Sequence, residues 1–161
     1  PVYAGLHGWR TFHARTMRAV STQLRGGMSD EQEIYRDAYL RATVERGGLL
    51  IRTVRTTLAF PDVAALEASH DALLRVVRLH VGPRSRLLQD LRPAPGRNEP
   101  EFEAALTRVR SRLLPLFERR ATLVQTSVGK LQLSRLQKED KLERLVSQDE
   151  AELMRYLGFA D

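Results

Sequence analysis

A chain of 161 residues has the length of one domain with a single buried core. Hydrophobic content of 42% and charged content of 29% are ordinary for a globular protein. With no cysteine the chain has no disulfide, no thiolate metal site and no cysteine nucleophile.

The lack of cysteine also fits a reducing compartment. No apolar run approaches the ~18 residues of a membrane-spanning helix, and no secretory apolar segment follows the N-terminus. The expected location is the cytoplasm. The net charge of +6 suggests an acidic partner, but it is unevenly placed. Residues 1–29 hold Arg10, Arg15, Arg18 and Arg25 and no acid. Of 26 basic residues that leaves 22 for the remainder, against all 20 acids. The body is therefore close to neutral and makes a poor nucleic-acid surface, so no nucleic-acid partner is expected.

In the arm, Trp9, Phe12, His13, Thr16, Met17, Val20 and Leu24 share one face at helical spacing, with the arginines on or beside the other. This predicts a basic amphipathic docking helix over 1–29, separate from a domain over 30–161. Three readings stay open. The helix packs on the body or on a partner; it is a membrane-surface or targeting segment, the membrane being reached only through residues 1–25; or it is an extension not native to the protein. The last reading rests on Met28-Ser-Asp-Glu31, which follows Gly26-Gly27 and looks like a second start.

Residues 39–45 alternate apolar and polar, the pattern of a half-buried strand. Gly47-Gly48 supplies a tight turn, and 49–60 resumes as a strand rich in Val, Ile and Thr. Pro61-Asp62 opens a helix to about residue 79 (Val63, Leu66, Leu73, Leu74, Val77), which Gly82-Pro83 stops. A short strand over 86–91 runs into the loop Arg92-Pro-Ala-Pro-Gly-Arg-Asn98. There Asn98 and Glu101 form a capping box for a helix to about 117. Residues 121–125 form a buried strand, and Thr126-Ser127 cap a further helix. A last strand lies over 142–146, and a second capping box, Ser147 to Glu150, starts the final helix, which ends at Gly158. The fold class is α/β: an N-terminal β-hairpin, then alternating α/β units.

This order resembles the STAS fold, the anti-sigma-factor antagonist type of domain, within the broader group of STAS-like bacterial proteins. The resemblance runs over about residues 34–157. Its carriers are Tyr39-Leu-Arg-Ala-Thr-Val-Glu-Arg-Gly-Gly-Leu-Leu-Ile51, Leu87-Leu-Gln-Asp-Leu-Arg92 entering the next helix, and Ala121-Thr-Leu-Val-Gln-Thr126. It implies a mixed sheet of four to five strands with helices packed on it. It also implies a non-catalytic signalling role, exerted by binding a protein partner. The family's switch is a Ser or Thr beside an Asp at the turn after the third strand, where phosphorylation breaks the partner contact. The corresponding stretch here, Asp90-Leu-Arg-Pro-Ala-Pro-Gly-Arg-Asn98, has no hydroxyl residue. The switch is not carried over; a partner surface at this turn is.

Catalytic signatures are missing: the sequence has no Walker A, dinucleotide glycine pattern, HExxH or nucleophile elbow. The four histidines, His7, His13, His70 and His80, lack ligand spacing, so neither metal nor cofactor is expected. The candidate site is an anion-binding rim. It comprises the helix start at Asn98 with Arg92 and Arg97 beside it, and the neighbouring turn Gln125, Thr126 and Ser127. Glu99, Glu101 and Glu103 already serve that helix dipole, so a purely structural loop is the competing reading. The alternative function is thus a module for a small anionic ligand, a nucleotide or lipid headgroup.

Overall fold

The computed structural model describes residues 30–97 and 99–159. The expected docking helix over 1–29, with Trp9, Phe12, Met17, Val20 and Leu24, lies outside the described residues, as does Asn98.

Three strands come first: β1 (Gln32–Arg36), β2 (Leu40–Glu45) and β3 (Leu50–Arg55). They form an antiparallel meander. The turn between β2 and β3 is a short 3-10 segment in which Arg46, Gly47 and Gly48 all have positive φ. Glycine allows the positive φ at positions 47 and 48 without Cβ strain, and the Gly47 amide donates to the Asp30 carboxylate. After β3 the chain alternates: α1 (Val63–Val77), β4 (Arg86–Asp90), α2 (Pro100–Leu113), β5 (Arg119–Leu123), α3 (Ser127–Asp140), β6 (Leu145–Ser147) and α4 (Glu150–Tyr156).

The sheet has six strands in sequential order, with β3 to β6 parallel. The expected count of four to five is corrected, and the hairpin becomes a meander. The added strand is β1, an edge strand reading Gln-Glu-Ile-Tyr-Arg with a bulge between Glu33 and Tyr35. Charged, bulged edges resist pairing with other chains, and for the same reason they lack the apolar alternation that betrays a strand.

Sequential order with right-handed crossovers places α1, α2 and α3 on one face. Strand residues Leu40, Ala42, Ile51 and Leu87 pack there against Leu73, Leu74 and Val77 of α1 and against Leu113. A second cluster joins Phe60 and Leu66 to Phe102, Ala105 and Val109 of α2. On the opposite face α4 covers Leu50, Leu88, Ala121 and Leu123 with Leu153 and Leu157. Each fully buried leucine there contributes about 2 kcal/mol.

Helix starts follow their caps. Asp62 accepts the Ala65 amide, Thr126 the Gly129 amide and Asp149 the Ala151 amide. Two expectations shift. Helix α2 begins at Pro100 with Glu99 as its cap residue, and no side chain caps it. Ser147 belongs to β6: its hydroxyl accepts the Asp149 amide and donates to Glu152, so it is not the cap of α4. No helix among the described residues is long and apolar enough to cross a membrane.

Candidate ligand-binding site

Parallel strands end on one edge of the sheet, and open α/β sheets hold ligands outside those carboxyl ends. Here that edge, helices α1 to α3 and the loop after β4 enclose a cavity of about 480 Å³. Ligand sites typically measure ~300–1,000 Å³.

The floor is built by register. Gln89 of β4 and Thr122 of β5 are direct neighbours across the ladder and share the helix-covered face. Two residues further along, on the same face, come Leu91 and Val124, with Arg55 at the end of the neighbouring β3. The walls are mostly apolar: Leu66 from α1, Phe102, Leu106 and Val109 from α2, and Val128 and Leu133 from α3.

The polar groups inside this shell carry the chemistry. Thr122 is 1% exposed, and its Oγ1 has no hydrogen-bond partner among the described residues. A buried hydroxyl without a partner costs about 1–3 kcal/mol, so its place on a cavity floor calls for an explanation. His70 donates from Nδ1 to the Leu66 carbonyl at 2.8 Å, which leaves Nε2 as the ring's acceptor. Burial holds the His70 pKa below the usual imidazole range and keeps the ring neutral. The Arg55 guanidinium lies 4.1 Å from the Phe60 ring centre and donates to the carbonyls of Tyr39 and Leu58. Desolvation lowers its pKa.

Of the residues expected at the rim, Arg92, Arg97, Gln125 and Thr126 all line this cavity. Their charge and hydrogen-bonding capacity is largely committed, however. Arg92 pairs with Asp90 at 2.6 Å and reaches Glu150 at 3.5 Å. Arg97 pairs with Glu99 at 2.9 Å, lies 3.6 Å over the Phe102 ring and donates to the Phe60 carbonyl. The Gln125 carbonyl accepts from Gln148, and Thr126 caps α3. Ser127 bonds Gln148 and does not line the cavity. Glu101 and Glu103 occupy the first turn of α2, whereas that of α3 carries no acid.

Sequence reasoning missed Arg55, His70, Gln89 and Thr122 as a group. The available signals were a glutamine inside Arg-Leu-Leu-Gln-Asp and a threonine inside Ala-Thr-Leu-Val, each a polar residue in an otherwise buried strand. No protein-family model, curated protein or solved structure matches the chain. Among the described residues no group of three His, Cys, Asp or Glu is placed to hold a metal ion.

Proposed function

We propose that this domain is a binding module for a small ligand with an apolar body and an anionic end, seated between the sheet and α1 to α3. The observation that carries the reading is the cavity of about 480 Å³ with an unpartnered, buried Thr122 hydroxyl on its floor. Charge supports the anionic end through Arg55, which lines the cavity and gives hydrogen bonds to carbonyls, while the one acid among the described lining residues, Glu103, is paired with Arg135 at 3.3 Å. The mostly apolar walls favour a compact amphipathic molecule over a polyphosphate.

Leu106→Trp fills the cavity from α2 without touching its floor. A thermal-shift screen of amphipathic carboxylates, phosphates and nucleotides is expected to raise the melting temperature of the wild type as linkage requires. The variant is expected to show no shift. Equal shifts in both proteins would place binding elsewhere and reject this reading.

A second reading follows the STAS-like element order, in which the domain regulates by docking a protein partner. Its supporting observation is on α3, where Val128 and Leu131 are 73% and 72% exposed one turn apart, beside the cavity mouth. Large apolar side chains displayed together mark interaction sites. A Leu131→Glu variant is expected to keep ligand binding and lose any partner that wild type retains in pull-downs; an unchanged partner set removes α3 as the interface.

A further inference from the structure

We propose that the Gln89–Thr122 pair selects a carboxylate, so that the ligand class is an amphipathic monocarboxylate bound head-down on the sheet. This inference rests on the cavity being a ligand site. It adds which chemical group goes to the bottom and which residues read it.

The argument begins with what the floor offers. Gln89 and Thr122 sit opposite each other on adjacent parallel strands, a separation of about 5 Å across the ladder. The backbone amides at these positions belong to the sheet ladder. The donors offered to a ligand at that depth are therefore side chains: the Thr122 hydroxyl and the Gln89 carboxamide on the sheet, with the buried Arg110 and Arg144 also lining the cavity. Two donors on neighbouring strands, one from each residue, suit the two oxygens of one carboxylate. Phosphates, by contrast, are usually cradled by free backbone amides at helix starts or glycine-rich turns.

Electrostatics agrees. A singly charged group is less costly to desolvate than a doubly charged one, and burial here is deep, with Thr122 at 1% exposure. Arg55 supplies positive charge on the same face of β3, beside the cavity, and gives hydrogen bonds to the Tyr39 and Leu58 carbonyls. His70, neutral and accepting through Nε2, adds no competing negative charge and takes a proton-bearing group if the ligand also carries a hydroxyl. Above the floor, Phe102, Leu106 and Val109 of α2 form an apolar channel for the tail.

The test measures dissociation constants by calorimetry for decanoate and naphthalene-2-carboxylate, for the matching alcohols, and for decyl phosphate. Wild type is expected to bind at least one of the two carboxylates roughly tenfold tighter than its alcohol, about the worth of one charged hydrogen bond, and to bind decyl phosphate more weakly than decanoate. Thr122→Val and Gln89→Leu are each expected to erase that preference while leaving alcohol binding within about twofold. Thr122→Ser, which keeps the hydroxyl, restores it. The inference is overturned if carboxylate and alcohol bind alike in wild type, or if the preference survives Thr122→Val in a folded variant. Loss of the preference in Thr122→Ser as well would also overturn it. In those cases the cavity still binds, and only its head-group reading falls. Leu106→Trp separates the two levels: if the probes bind it as tightly as wild type, or bind neither protein, the cavity reading itself falls with this one.

Discussion

Asp37→Ala is expected to lower folding stability by about 3 kcal/mol and the melting temperature by roughly 10 °C. The reason is the number of elements this one carboxylate ties together. Its Oδ1 accepts the amides of Tyr39 and Leu40, each at 2.7 Å, which fixes the turn from β1 into β2. Its Oδ2 accepts the hydroxyls of Tyr35 at 2.7 Å and Ser69 at 2.5 Å, which fastens α1 to the edge of the sheet. Alanine leaves four donors without their acceptor. Asp37→Asn retains an acceptor for the two amides and should recover part of the loss. Burial alone would raise the Asp37 pKa, yet the bonds from Ser69, Tyr35 and the two amides hold it below the ordinary 3.8. The Tyr35 phenol is pushed the other way, to about 12, by burial and by donating to that carboxylate. A depressed carboxyl pKa gives stability that is present above 3.8 and lost as pH falls through the folded value. The gap between wild type and Asp37→Ala should therefore be constant from neutral pH to about pH 4 and narrow below it. Urea midpoints at several pH values check both parts; a gap that widens under acid would contradict the assigned role.

The same residue shows where sequence legibility ended. The strong periodic signals, Val63 to Val77 of α1 and the alternation over β2, report burial of one face, and burial of one face is what periodicity encodes. Thr126 was legible as a cap because capping is local chemistry, complete within four residues. Strand β1 was not, because an edge strand has little buried face to advertise. Asp37, in the turn after it, meets Ser69 thirty-two residues away, and no local rule connects them. The candidate site divides along the same line. The rim residues Arg92, Arg97, Gln125 and Thr126 could be placed because strand-to-helix turns gather at one edge of any α/β sheet. The floor could not, since Gln89 and Thr122 become neighbours only through the β4–β5 register. Nor could the pairing of Arg92 and Arg97 with acids be foreseen, and that pairing moves the interest from the rim to the interior.

Arg52→Ala is expected to cost about 3 kcal/mol, because it removes the cation from a run of half-buried charges and leaves its acids facing each other. Arg52 donates to Glu45 of β2 at 2.8 Å and to Glu150, the first residue of α4, at 2.7 Å. Glu150 in turn lies 3.5 Å from Arg92, which holds Asp90. The arginine side chain is 17% exposed and that of Glu45 14%, so solvent screens this pair far less than it screens a surface bridge. Burial opposes the charge on Arg52, but its two carboxylates prevail and raise its pKa. The position also explains an irregularity in β3, where an arginine interrupts the apolar set: Arg52 sits on the α4 face beyond the reach of the leucines that α4 covers. A double-mutant cycle of Arg52→Ala with Glu45→Ala should give a coupling of about 1 kcal/mol or more, and additive losses would refute the pairing. The consequence then passes to α4. This helix has seven residues and holds its face of the sheet through Leu153 and Leu157. Losing the tether at Glu150 should speed amide exchange at both leucines. It should also leave Glu150 to Arg92 alone, drawing on the residue that anchors the loop at the cavity mouth. Arg52 is then a charge outside the cavity whose removal should weaken ligand binding, because α4 and that loop share Glu150 as their common partner.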